Sequence, residues 1–253
     1  MSRDGGAEET RGVQAARRAL ARGLLLALRG SLVFGLLLAA VESARAEGER
    51  AVPETWHVMA FVRGSMGIRV IDYWSKGPDM VARTLIGGHP ITTIVRDGRY
   101  VVFDGLTGKG LDIARSPSAL SEDAGRVRPF AFELDELIRD GGEKIEDVRV
   151  GAMRGEIWQV RDANGRRKVW TSVDVPRVPL RQETFDRSSG QTIDLDYQGW
   201  TFDLAMDEPL FRVPPGFLFE RFEYDDYLAK SGQGSVGKVP ILYPDLLHGS
   251  PPR

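Results

Sequence analysis

The chain has 253 residues, of which 42% are hydrophobic and 28% charged, proportions ordinary for one or two globular domains. It contains no cysteine, which excludes a disulfide framework, a thiolate metal site and a cysteine nucleophile. The net charge is −2, and residues 47–253 alone carry 27 basic and 32 acidic residues, a net of −5. A mildly acidic chain without a basic stripe lacks the charge that draws proteins to nucleic acid.

Residues 1–46 read as a targeting segment. Arg11, Arg17, Arg18, Arg22 and Arg29 form a positive stretch, and Leu32 to Val41 is an apolar run of signal-peptide length. Ala44-Arg45-Ala46 is a small-x-small cleavage site, so the mature chain is expected to begin at Glu47, in the periplasm of a Gram-negative bacterium. The alternative is an uncleaved inner-membrane anchor over Leu24 to Val41. It would place Arg29 within the bilayer at a cost of at least ~2.5 kcal/mol. Arg17-Arg18 suggests twin-arginine export, but Ala19, Leu20 and Ala21 match that pattern poorly.

From Trp56 to Ile113 the signals are almost all those of strands. Trp56–Arg63 is one strand, and Met66–Ser75, rich in Ile, Val, Tyr and Trp, which suit a half-buried pleated surface, is a second. Lys76-Gly77-Pro78-Asp79 is a turn, followed by strands at Met80–Ile86 and Ile91–Val95. Asp97-Gly98 is a hairpin signal leading into Tyr100–Phe103, and Leu111–Ala114 is a short strand. Hairpins at this spacing point to one antiparallel meander, sandwich or barrel.

Ser116 to Gly142 breaks the pattern. Ser116-Pro117 and Ser118 are suited to capping a short helix that runs to Asp123. Phe130, Leu134, Leu137 and Ile138 follow at the spacing of one helical face, and Gly141-Gly142 stops it. Strands resume at Lys144–Gly151 and Glu156–Asp162, then at Lys168–Val173, Pro179–Asp186 and Gln191–Trp200. In the last pair Leu180, Gln182 and Thr184 share one parity and Ile193, Leu195 and Tyr197 another, the period of half-buried strands. Asp194 and Asp196 fall on the opposite, solvent face. Beyond Gly216, Phe217, Phe219 and Phe222 are placed to seal one end of the sheet, and Glu220–Lys230 reads as a short helix. Residues 231–253, rich in Gly and Pro, read as a tail or a strap over the surface.

Three runs carry a family resemblance: Val169-Trp170-Thr171-Ser172-Val173, Val178-Pro179-Leu180-Arg181-Gln182-Glu183-Thr184-Phe185-Asp186, and Leu210-Phe211-Arg212-Val213-Pro214-Pro215-Gly216. Together they are similar to the closing half of the Lol-type periplasmic lipoprotein carriers. Trp74-Ser75-Lys76-Gly77-Pro78-Asp79-Met80 resembles the opening half, so the likeness spans roughly residues 54–219. It implies a mainly β, α+β fold: a curved, incompletely closed antiparallel half-barrel with a short helical lid. The superfamily includes lipoprotein shuttles, lipid binders and envelope-stress sensors. The expected layout is a signal peptide (1–46), the half-barrel (47–219) and a C-terminal helix and tail (220–253). An acidic, aromatic segment beyond Pro215-Gly216 departs from the family pattern.

No string supports catalysis. Gly232-Gln233-Gly234-Ser235-Val236-Gly237-Lys238 nearly fits a phosphate-binding loop, but no buried strand precedes it, Val239 replaces the metal-binding hydroxyl and Pro240 follows. His57, His89 and His248 have no partner at ligand spacing, and Glu223, Asp225 and Asp226 read as a solvated acidic patch. No set of nucleophile, base and oxyanion donors can be drawn. The expectation is therefore a non-enzymatic, cofactor-free monomer that binds lipid or lipoprotein acyl chains and no nucleic acid. The candidate cavity residues are Phe130, Leu134, Leu137, Ile138, Trp158, Trp170, Leu195 and Tyr197. The alternative is an envelope sensor or assembly module that binds a protein partner and has a filled concave face.

Overall fold

The computed structural model describes residues 52–250 apart from residues 66, 175 and 238. The targeting segment, its cleavage site and the alternative anchor lie outside the described residues.

The first meander comprises β1 (Thr55–Gly64), β2 (Gly67–Lys76), β3 (Asp79–Ile86), β4 (His89–Arg96), β5 (Arg99–Asp104) and β6 (Lys109–Ala114). Two short helices follow, α1 (Pro117–Asp123) and α2 (Glu133–Arg139). The second meander is β7 (Glu143–Val150), β8 (Met153–Arg161), β9 (Gly165–Ser172), β10 (Pro179–Asp186) and β11 (Gln191–Phe202). The chain ends its described course with a 3₁₀ turn (Glu208–Phe211), β12 (Leu218–Phe222), α3 (Tyr224–Gly232) and α4 (Pro244–His248).

All twelve strands form one open sheet in the order β12-β6-β5-β4-β3-β2-β1-β11-β10-β9-β8-β7. With the four short helices this is an incompletely closed half-barrel with a helical part. The two meanders join where β1 pairs with β11, from Trp56 opposite Phe202 to Arg63 opposite Asp194. Local chemistry explains the hairpins. Asp97 and Gly98 both take positive φ, 50° and 72°, the backbone of a type I′ turn. At the seam, Gly199 (φ 70°) forms a bulge that lets two β11 residues oppose one of β1. The inward parity therefore passes from Leu195 and Tyr197 to Trp200 and Phe202.

The inner face carries one large apolar cluster, including Trp56, Val58, Tyr73, Met80, Tyr100 and Ile113. It is roofed by Phe130 and Ala131 and by the C-terminal segment through Tyr227, Leu246 and Leu247. A second cluster on the outer face joins Val81, Ile94, Val101 and Phe103 to Phe211, with Phe217 and Phe219 packed against it. Strands β3 to β5 are therefore buried on both faces, which accounts for continuous apolar runs such as Tyr100-Val101-Val102-Phe103. A third cluster seats Leu134 and Leu137 of α2 on Val169, beside Trp158 and Val160.

Three expectations need correction. The helix read from Phe130 begins only at Glu133, because Ala131 adopts φ 62° and turns the chain. The segment expected as a helix from Glu220 opens instead with β12, which pairs parallel to β6 in an otherwise antiparallel sheet. Five residues are too few for a periodic signal, and β12 is held by its neighbour: Arg221 Nε donates to Asp112 Oδ2 at 2.8 Å and Arg99 Nη2 donates to the Phe222 carbonyl at 3.3 Å. Finally, the C-terminal strap reaches the core: Leu246 and Leu247 are almost wholly buried. Arg115 fixes it from beneath, donating from Nε to the Leu246 carbonyl at 2.6 Å and from Nη1 to Asp123 Oδ2 at 2.6 Å. Ser116 caps α1 by accepting from Ala119 N–H and donates its own hydroxyl to the His248 carbonyl.

Candidate functional site

The eight residues expected to line a cavity are divided among several places. Phe130 stacks on Tyr73 with ring centroids 4.8 Å apart and lies 6.1 Å from Trp200, inside the main core. Leu134 and Leu137 belong to the third cluster with Trp158, whose indole N–H donates to Glu156. Ile138, on the other side of α2, is 42% exposed. Trp170 and Leu195 pack at the margin of the main core, and the Arg181 guanidinium lies 5.1 Å from the Trp170 ring centroid. Tyr197 is buried and donates its hydroxyl to Glu133. On the solvent face of β11, Asp196 is paired with Arg63, and Asp194 with Arg181 at 2.7 Å.

Sequence reasoning missed a buried polar layer under the roof. Arg128 is almost fully buried, with its guanidinium 4.7 Å from the Trp56 ring centroid and 5.2 Å from that of Trp200. It donates to the Phe130 and Ala131 carbonyls at 3.0 and 2.8 Å, the contacts that hold the turn before α2. The Glu133 carboxyl lies beneath, with Oε1 accepting from Tyr197 and Oε2 buried without a hydrogen-bond partner among the described residues. Burial pushes the Glu133 carboxyl above the ordinary range, although the Tyr197 bond and the Arg128 charge oppose it. Burial, then the Glu133 charge, push the Tyr197 phenol up. The signal for this layer was an Arg and a Glu in an otherwise apolar run, and nothing in their spacing shows that they turn inward.

Two grooves open along the rim where the β1–β2, β3–β4 and β5–β6 turns lie. The first has a volume of 460 Å³ and apolar walls from Val62, Ile68, Leu85, Ile86 and Ile193. Ile68, Leu85 and Ile193 are 70%, 65% and 48% exposed, while Val62 and Ile86 continue into the core. The second, of 560 Å³, shares Ile86 and is polar, with His89, Asp104, Thr107, Lys109 and Glu220 on its wall. Asp104 already has a full set of partners: it accepts from the Leu106 N–H at 2.8 Å and the Thr107 hydroxyl at 2.9 Å, and is 2.7 Å from His89 Nδ1. Burial pushes its pKa up, but those bonds outweigh it and bring the value down to about 2. None of the eight predicted residues borders either groove.

Among the described residues, no cluster of three or more His, Asp or Glu side chains has the geometry to hold a metal, and no helix is long and apolar enough to cross a membrane.

No family model matches the sequence, and no curated protein matches it. Among solved structures, the chain is similar to an uncharacterized conserved protein from Thermus thermophilus (11% identity, 67% of this chain and 91% of that one, TM-score 0.48). It is also similar to MucB, solved in the MucA/MucB complex of Pseudomonas aeruginosa (16% identity, 63% and 56%, TM-score 0.40). A third likeness is to a putative outer membrane lipoprotein-sorting protein domain from Vibrio parahaemolyticus (11% identity, 68% and 95%, TM-score 0.29). A lipoprotein-sorting domain, the group named from the sequence, is thus among the structures this chain is similar to. At these scores no residue role is carried over from any of them.

Proposed function

We propose that this chain is an exported, non-enzymatic binding protein that carries a lipid, or the acyl chain of a lipoprotein, in the apolar rim groove. The observation that supports this most is the groove itself. Branched side chains are exposed around an opening of 460 Å³, within the size range of small-molecule sites, and its inner wall runs into the core. Exposed apolar groups gathered around one concavity mark a binding site more often than the same groups scattered singly. Each methylene buried there contributes roughly 0.8 kcal/mol, so part of a chain suffices to compete with a membrane. Export to the periplasm is carried by the sequence of residues 1–46 alone.

The filled inner face favours a second reading. With Phe130, Tyr73 and Trp200 packed together there, a protein partner would insert one apolar side chain into the rim groove, and the module would act in envelope sensing or assembly. Native mass spectrometry of the protein from a detergent-free periplasmic extract separates the two. Lipid-mass adducts that delipidation removes are expected, with a chain beginning at Glu47. A clean apo mass, with no uptake of a fluorescent fatty acid, overturns the carrier reading and leaves the partner-binding one.

A further inference from the structure

Among the described residues, the apolar rim groove contains one charge. Arg69 lies on its wall, on β2 directly opposite Val62 of β1, and no described aspartate or glutamate borders the groove. Among the described residues its guanidinium makes no hydrogen bond or ion pair, and its Nε is buried with no partner. Several half-buried arginines elsewhere on this sheet, among them Arg96, Arg99, Arg166, Arg167 and Arg181, are each paired with a carboxylate. A half-buried guanidinium without an anion is costly to keep, because desolvation is then uncompensated. Behind it are the Tyr73 and Tyr243 hydroxyls, both raised by burial, which supply no anion at neutral pH.

We infer that the groove takes an amphiphile bearing a single oxyanion on an apolar chain, with Arg69 as the counter-charge and Val62, Ile86 and Ile193 around the chain. This rests on the apolar-groove reading and specifies its ligand class. A planar guanidinium presents paired N–H donors that match a carboxylate or a phosphate, and charge-assisted bonds of this kind are the strong ones. The neighbouring polar groove does not compete for that role, since Asp104 is already satisfied and Glu220 would repel an anion.

The test is calorimetric titration of the delipidated protein, purified from the envelope fraction, with dodecanoate, dodecyl phosphate and dodecanol. The expected result is that one of the two anions binds at least about tenfold more tightly than the neutral alcohol, the better one identifying the head group. Arg69→Gln is expected to remove that preference while leaving dodecanol affinity within about twofold. Ile193→Asp, at a position 48% exposed and therefore tolerant, is expected to weaken all three ligands and so checks the groove independently of Arg69. Equal binding of anion and alcohol by the unmodified protein, or an Arg69→Gln protein that keeps the preference, overturns this inference and leaves the carrier reading standing. Failure of all three ligands to bind overturns both.

Discussion

Arg128 offers the sharpest test of how the roof over the inner face is held. Arg128→Met keeps an unbranched side chain between the Trp56 and Trp200 rings but removes the charge and both donors. The Phe130 and Ala131 carbonyls then lose charged donors at 3.0 and 2.8 Å, and the Glu133 carboxyl loses the nearby positive charge that opposes its raised pKa. Hydrogen bonds to a charged partner contribute about 1.5–3 kcal/mol each, and opening a buried charged network by removing one member costs about 3–5 kcal/mol. The expected loss is therefore about 3–5 kcal/mol, a large part of a total stability on the order of 5–15 kcal/mol. In a chain of this size that corresponds to a fall in Tm of roughly 10 °C. Urea unfolding followed by tryptophan fluorescence measures it directly, since Trp56 and Trp200 report on the site. Arg128→Lys, which keeps the charge, is expected to lose less. A loss below about 1 kcal/mol for Arg128→Met would refute the argument that this guanidinium holds the turn before α2.

Other predictions follow from the same geometry. Because the Glu133 carboxyl is raised, its contribution to stability is full below its unfolded value of 4.5 and is lost as pH rises through the folded value. Glu133→Gln still accepts from Tyr197, so it is expected to be more stable than the unmodified protein at pH 7 and to lack that decline; a less stable variant at pH 7 contradicts the assignment. Asp104 is lowered, so its contribution is present above its unfolded value of 3.8 and is lost as pH falls towards about 2. Asp104→Asn is expected to flatten acid unfolding in that window, and an unchanged acid profile counts against it. Leu247→Ala is expected to cost about 3 kcal/mol as a core truncation, whereas Ile138→Ala stays within about 0.5 kcal/mol. Equal effects in chemical denaturation would mean that the C-terminal segment does not close the core.

Most strands were legible because their information is local. Pro179–Asp186 is found where period and turn residues put it, and Asp97-Gly98 specified its hairpin through backbone sterics alone. Elements that depend on distant partners were not legible. Leu218–Phe222 becomes a strand only because β6 offers it an edge, and Phe130 leaves the helical face because Arg128 bonds the carbonyls on either side of a positive-φ alanine. The same holds for the site. Ile68, Leu85 and Ile193 belong to three strands whose meeting at one rim depends on tertiary pairing, and Arg69 stands out only once it is seen as the charge on the wall of that groove.

The seam between β1 and β11 has a consequence for how the chain acquires its structure. Trp56 and Phe202 are neighbours across that seam although nearly 150 residues separate them along the chain. Each meander can zip from its own hairpins, but joining them closes a loop of that length, and contacts of such long range slow folding. The seam forms only after β11 has been synthesised, and the roof supplied by Leu246 and Leu247 waits for residues later still. Until then the apolar inner edge of the first meander is bare. A chain built in this order must be kept from pairing with other chains until the second meander arrives, and the inner face is covered late, by α4.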